Sequence, residues 1–152
     1  MSQNLKGKEF MAVVGVYDPV ANAAAAVYTD YIDMGLFENV IGWVCLGDIG
    51  AVAIDASIIA YTDTSASNPT TIKSATQLGA SATLNDNTQI QLECSAQEVN
   101  VASDTLSLRY VRFSMTPGGG ITGSACILAI GFNPRNIPAS DNDLASVQEL
   151  VS

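Results

Sequence analysis

Three cysteines, fifteen acidic residues and no histidine bound the chemistry open to this 152-residue chain. Without histidine it lacks the commonest general base, the usual catalytic triads and the ligands of most zinc and non-haem iron sites. A metalloenzyme of the cupin kind would need those same imidazoles. Cys45, Cys94 and Cys126 each stand in an apolar stretch and none belongs to a C-x-x-C pair. They read as small buried hydrophobes in a protein folded under reducing conditions. Paired carboxylates could cleave glycosides, but fifteen acids allow many pairs and no spacing singles one out. Asp48 and Asp55 lie among apolar residues and read as members of a turn or an exposed strand face. Asp86, flanked by asparagines, and the acids at 141 and 143 could meet calcium. Neither group has the spacing of an EF-hand loop, and turn and helix-cap chemistry accounts for both. The glycine run at 118–120 falls between two apolar runs, as a hairpin tip would, and opens no helix as a phosphate cradle would. The chain therefore reads as non-enzymatic, with no cofactor and no metal.

Composition narrows the partners. Charged residues make up 14% of the chain, against about 25% in ordinary soluble domains. A chain so short of charge either covers part of its surface with a partner or carries an Ala- and Ser-rich surface. The net charge of −9 and the scatter of the six basic residues, Lys6, Lys8, Lys73, Arg109, Arg112 and Arg135, argue against nucleic acid, which asks for clustered cations. Glu9 interrupts the N-terminus before any apolar core, so no signal peptide is read there. Residues 40–61 are long enough to span a membrane but contain Asp48, Asp55 and three glycines. A central Asp costs about 2.5–3.5 kcal/mol on insertion scales, and two strands joined near residues 47–50 account for the stretch better. No membrane partner is expected.

The elements that must position these residues are strands. Residues 106–115 (LSLRYVRFSM) alternate with a shift of parity in mid-run, which reads as one strand with a β-bulge. Residues 126–132 (CILAIGF) resume after the glycine-rich 116–123, suggesting a hairpin. Residues 10–17 read as a first strand ended by the turn pair Asp18–Pro19. Further strands are expected within 27–34, 36–44 and 52–59, at an edge over 72–78, and over 89–98. Seven to nine short strands at roughly ten-residue spacing predict an all-β fold, an antiparallel β-sandwich of jelly-roll kind. The boundaries are an N-terminal arm at 1–9, the sandwich at 10–132 and a C-terminal tail at 133–152. In the tail, Ser140 with Asp143 resembles a helix start, and Leu144, Val147, Leu150 and Val151 share a helical face. The tail is expected as a short helix, or an extended segment, packed on its own domain or on a neighbour.

With those residues in view, the chain resembles the head decoration, or cement, proteins of tailed bacteriophages. The likeness lies in 28–50 (YTDYIDMGLFENVIGWVCLGDIG), 109–119 (RYVRFSMTPGG) and 127–151, above all the GFNPR turn leading to PASDND. It implies a virion protein made in the host cytoplasm. Such a protein would bind the outer surface of the shell, bridge subunits of the major capsid protein, and associate with itself as a trimer or dimer. Arm and tail are the segments expected to reach neighbours, with Lys6, Lys8, Phe10, Arg135, Leu144, Val147 and Leu150 as contact residues. A stand-alone module that binds carbohydrate is the alternative, with Tyr17, Tyr28, Tyr31, Tyr61 and Trp43 as its available aromatics.

Overall fold

Period-two alternation resolves into two antiparallel sheets in a computed structural model that describes residues 7–21, 24–75, 86–121, 123–137 and 139. In chain order the elements are α1 (Gly7–Phe10), β1 (Met11–Val20), β2 (Val27–Tyr28), β3 (Ile32–Asp33), β4 (Phe37–Leu46), β5 (Ile54–Tyr61), β6 (Thr70–Ser74), β7 (Gln89–Ser95), α2 (Ala96–Val101), β8 (Tyr110–Pro117) and β9 (Ala125–Pro134). Sheet A has the order β1-β9-β4-β7. Sheet B has the order β2-β8-β5-β6, with β3 also paired to β8. Because β2 meets Met115 and Ser114 while β3 meets Val111 and Tyr110, the two act as one interrupted edge strand. Counted so, eight strands pair first with last and inward to β5 with β6, which is a long hairpin rolled over itself. This is the jelly-roll arrangement, as the patterning predicted.

The core lies between the sheets. Val40, Val44 and Leu46 of β4 and Ala125, Ile127 and Ala129 of β9 face Ile54, Ala56 and Ile58 of β5 and Val111, Phe113 and Met115 of β8, all buried. Two aromatic rings close the gap by lying on bare backbone. A Cβ on Gly42 would come within 2.5 Å of the Phe113 ring, and one on Gly131 within 2.7 Å of Phe37. Close approach of a ring to a strand needs glycine there.

Several elements depart from the sequence expectation. Residues 106–115 are not one bulged strand. Strand β8 starts at Tyr110 and pairs with β5 without a register shift, so the change of parity marks the strand's beginning. The hairpin is also absent, since β8 belongs to sheet B and β9 to sheet A. The glycine-rich connection therefore crosses from one sheet to the other, β8 pairing with β5 and β9 with β1 and β4. Strand β1 continues through Asp18–Pro19 to Val20, with a register shift between Tyr17 and Val20 that accommodates the proline. Residues 40–61 supply β4 and β5, and no helix among the described residues is long and apolar enough to cross a membrane.

The strand expected over 89–98 ends at Ser95, where helix α2 takes over. Ser95 caps it: its Oγ accepts from the Glu98 N–H at 3.2 Å, and Glu98 Oε2 accepts from the Ser95 N–H at 2.8 Å. This reciprocal box is written in the sequence as S-A-Q-E. The expected C-terminal helix lies outside the described residues.

Candidate functional site

Three neighbouring strands, β1, β9 and β4, are apolar on both phases. One phase fills the core, and among the described residues the other has no second sheet to face. On β9 the outward residues are Cys126, Leu128, Ile130 and Phe132; on β4 they are Ile41, Trp43 and Cys45, and all are half-buried. Register lines them up in rows, with Val13, Ile130 and Ile41 in one and Val16, Leu128 and Trp43 in the next. Met11, 45% exposed, stands opposite Phe132. Beyond β4, strand β7 turns Gln89, Gln91 and Glu93 outward and gives the patch a polar border. A contiguous apolar face with a polar rim marks an interaction surface.

The outer face of sheet B is more polar, with Ile59 and the tyrosines among Asp55, Ser57, Arg112 and Thr116. Asp55 and Thr116 are exposed opposite one another, and Ser57 Oγ lies 2.7 Å from Ser114 Oγ. Arg112 lies 4.6 Å from the ring centres of both Tyr28 and Tyr31, and its Nε donates to the Thr29 carbonyl at 2.7 Å. Tyr31 meets Tyr61 edge-on at 5.4 Å. Burial, with Tyr28 and Tyr31 close by, raises the Tyr61 phenol above its ordinary pKa against the pull of Arg112. Three of the five aromatics expected for a sugar platform therefore gather here, while Tyr17 and Trp43 belong to sheet A.

The expected contact residues separate. Phe10, 39% exposed, ends α1 beside Met11 and so borders the apolar face. Arg135 follows β9, with its N–H donating to the Leu36 carbonyl at 2.9 Å and its Nε 3.3 Å from Glu38. It also lines a cleft of about 760 Å³ with Met34, Thr62, Asn100 and Arg109. Arg109 holds Asp33 through two hydrogen bonds, Nε to Oδ1 at 2.7 Å and Nη2 to Oδ2 at 2.6 Å. These bonds keep the Asp33 carboxyl below the usual carboxylate range. Lys8 belongs to α1. Lys6, Leu144, Val147 and Leu150 lie outside the described residues.

Candidate metal and acid chemistry resolves into turn chemistry. Asp86 Oδ1 accepts from the N–H groups of Ile49 and Gly50 at 2.9 and 3.1 Å and ties down the link from β4 to β5. Asp48 and Asp55 are exposed, and among the described residues no three potential ligands cluster. The acids at 141 and 143 lie outside them. Cys94 is buried, as expected of a small hydrophobe. Cys45 and Cys126 are not core residues. They stand opposite one another, half-buried, on the outer face of sheet A.

The apolar face is the feature that sequence reasoning missed. Its signal was the unbroken apolarity of 40–46 and 126–132, since a strand with one wet face alternates and a strand covered on both faces does not.

No family model and no curated protein matches the chain. Among solved structures it is similar to infectious bursal disease virus, Gt strain, with a TM-score of 0.46 and 11% identity over 91% of this chain and 38% of that one. The VP2 subviral particle of the same virus gives 0.47 and 12% over 88% and 34%. The N-terminal CBM22-1-GH10 modules of Clostridium thermocellum xylanase 10B, complexed with xylohexaose, give 0.40 and 12% over 87% and 29%. The chain thus spans little more than a third, or less, of each of these chains.

Proposed function

We propose that this chain is a non-catalytic structural protein of a bacteriophage virion. It lays the outer face of sheet A on the outside of the capsid, bridges subunits of the major capsid protein, and associates with itself as a dimer or trimer. The observation that carries this reading is the polarity difference between the two outer faces. Sheet A offers an apolar surface that water disfavours, at about 25 cal/mol per Å², while sheet B offers a more polar one. A protein so divided has one side to bind with and one side to show. The decoration-protein resemblance supports the same reading, because its strings at 28–50 and 127–151 contain most of the outward residues of β4 and β9. Self-association would add avidity, since several weak contacts made together hold far longer than one.

Co-sedimentation with empty shells of the major capsid protein tests the proposal. Wild type is expected to pellet with shells in saturable fashion. Trp43→Ser and Leu128→Ser, at the centre of the apolar face, are expected to weaken binding tenfold or more, the scale of central interface residues. Asp55→Asn and Thr116→Ala on sheet B should bind as wild type. Failure of wild type to pellet, or undiminished binding by both sheet A variants, would refute the proposal.

Carbohydrate binding is the second reading, favoured by the cluster of Tyr28, Tyr31 and Tyr61. Arg112 already covers one face of Tyr28 and of Tyr31, which leaves less ring surface for a sugar to stack on. A glycan array that lights up for wild type and dims for Tyr28→Ala would select this reading.

A further inference from the structure

Cys45 and Cys126 are direct register partners on β4 and β9, the two central strands of sheet A. Their inward neighbours Val44, Leu46, Ala125 and Ile127 are buried, so both thiols point to the outer face, where each is half-buried. The ladder fixes their spacing. Gly47 donates its N–H to the Ser124 carbonyl at 2.9 Å, and hydrogen-bonded pairs recur every second residue of an antiparallel ladder. Cys45 and Cys126, two residues along, therefore belong to the hydrogen-bonded class, in which Cα atoms are about 5.5 Å apart. That distance falls inside the disulfide window of about 4.4–6.8 Å. Directly opposite Cβ atoms are about 4.5–5.5 Å apart, with hydrogen-bonded pairs at the wider end, while a disulfide wants about 3.5–4.5 Å. Closing the bond would draw the two Cβ atoms together by about 1–2 Å and store strain, which marks a labile bond rather than a permanent staple.

We propose that Cys45 and Cys126 form a reversible redox pair that a low-molecular-weight disulfide such as oxidised glutathione converts to an intramolecular, cross-strand disulfide. One protein thiolate attacks a glutathione sulfur and expels a glutathione thiolate. The second protein thiolate then attacks the first protein sulfur and expels the other glutathione. The protein gives up two protons and two electrons, and the oxidant becomes two thiols. Burial, with Cys45 as neighbour and hydrogen-bond partner, raises the Cys126 thiol above its ordinary pKa, so the first attack is slow near neutrality. Cys94 takes no part, because burial pushes its thiol up to about 12 and its side chain lies on the inner face of β7. The proposal does not rest on the capsid reading.

The test uses the full chain in glutathione buffers of increasing oxidised fraction, followed by acid quench, alkylation and peptide mapping. The expected result is a fall from three alkylatable thiols to one, a peptide linking Cys45 to Cys126, and reversal by dithiothreitol. Cys94→Ser should form the same link, while Cys45→Ser and Cys126→Ser should stop at a mixed glutathione disulfide. Three free thiols at every ratio, separate glutathione adducts on Cys45 and Cys126 of wild type, or covalent dimers in place of the internal link would each overturn the proposal.

Discussion

Gly42→Ala puts the packing of the sandwich to a quantitative test. A Cβ at this position would lie 2.5 Å from two carbons of the Phe113 ring and 3.0 Å from a third. Carbon atoms pack best at about 3.5–4.0 Å, so the ring must retreat by about 1 Å. It has nowhere to go, for Phe113 is fully buried between the sheets. Overpacking of this kind costs about 1–3 kcal/mol, and two contacts this short place Gly42→Ala at the upper end. Replacing a mid-strand glycine returns about 0.5–1 kcal/mol, because glycine loses the most chain entropy on folding. The net expectation is a loss of about 2 kcal/mol, a factor of about 30 in the folding equilibrium. Urea denaturation should show a lower midpoint with an unchanged slope. Phe113→Leu in the same chain should be less damaging than the two single effects summed, because the smaller side chain makes room for the methyl group. A midpoint for Gly42→Ala equal to or above wild type would refute the account of the glycine as space for a ring.

Ser95→Ala removes the cap of α2 and should lower stability by about 1 kcal/mol, read from the urea midpoint. Asp33, Asp63 and Glu98 all sit below the ordinary carboxylate range, held by Arg109, by Ser67 and by Lys73 in turn. In that window the unfolded chain binds more protons than the folded one, so their contribution is complete above the ordinary range and fades as pH falls through their lowered values. Thermal melts should therefore shift downward below the ordinary carboxylate range, and Asp33→Asn should flatten part of that slope. Cys94 should resist iodoacetamide in the native protein and react fully in urea, which mass spectrometry of the alkylated chain would show.

The sandwich was legible because one-faced strands such as β7 and β5 alternate, and alternation is a local property. The pairing was less so. Residues 106–132 look like a hairpin locally, while the partners that β8 and β9 take, β5 for one and β1 and β4 for the other, lie far away in the sequence. Helix α2 was readable in Ser95 and Glu98 but is too short to show periodicity. The apolar face of sheet A was present in 40–46 and 126–132 as unbroken apolarity, whose meaning depends on learning that both strands sit mid-sheet. Arg135 was found by its place in the GFNPR turn. Its partner Glu38 comes from the opposite strand, and nothing local links the two.

Strand β9 lies in the middle of sheet A, although it is the last strand among the described residues. Among the described residues β1 has no other neighbour in that sheet, and β4 and β7 alone make only a narrow ribbon. During synthesis the rows that join Val13 to Ile41 and Val16 to Trp43 must wait for Ile130 and Leu128 to leave the ribosome. A chain interrupted before β9 accordingly never holds the complete apolar face. The outward rows come into being in one step, when a single strand enters between β1 and β4.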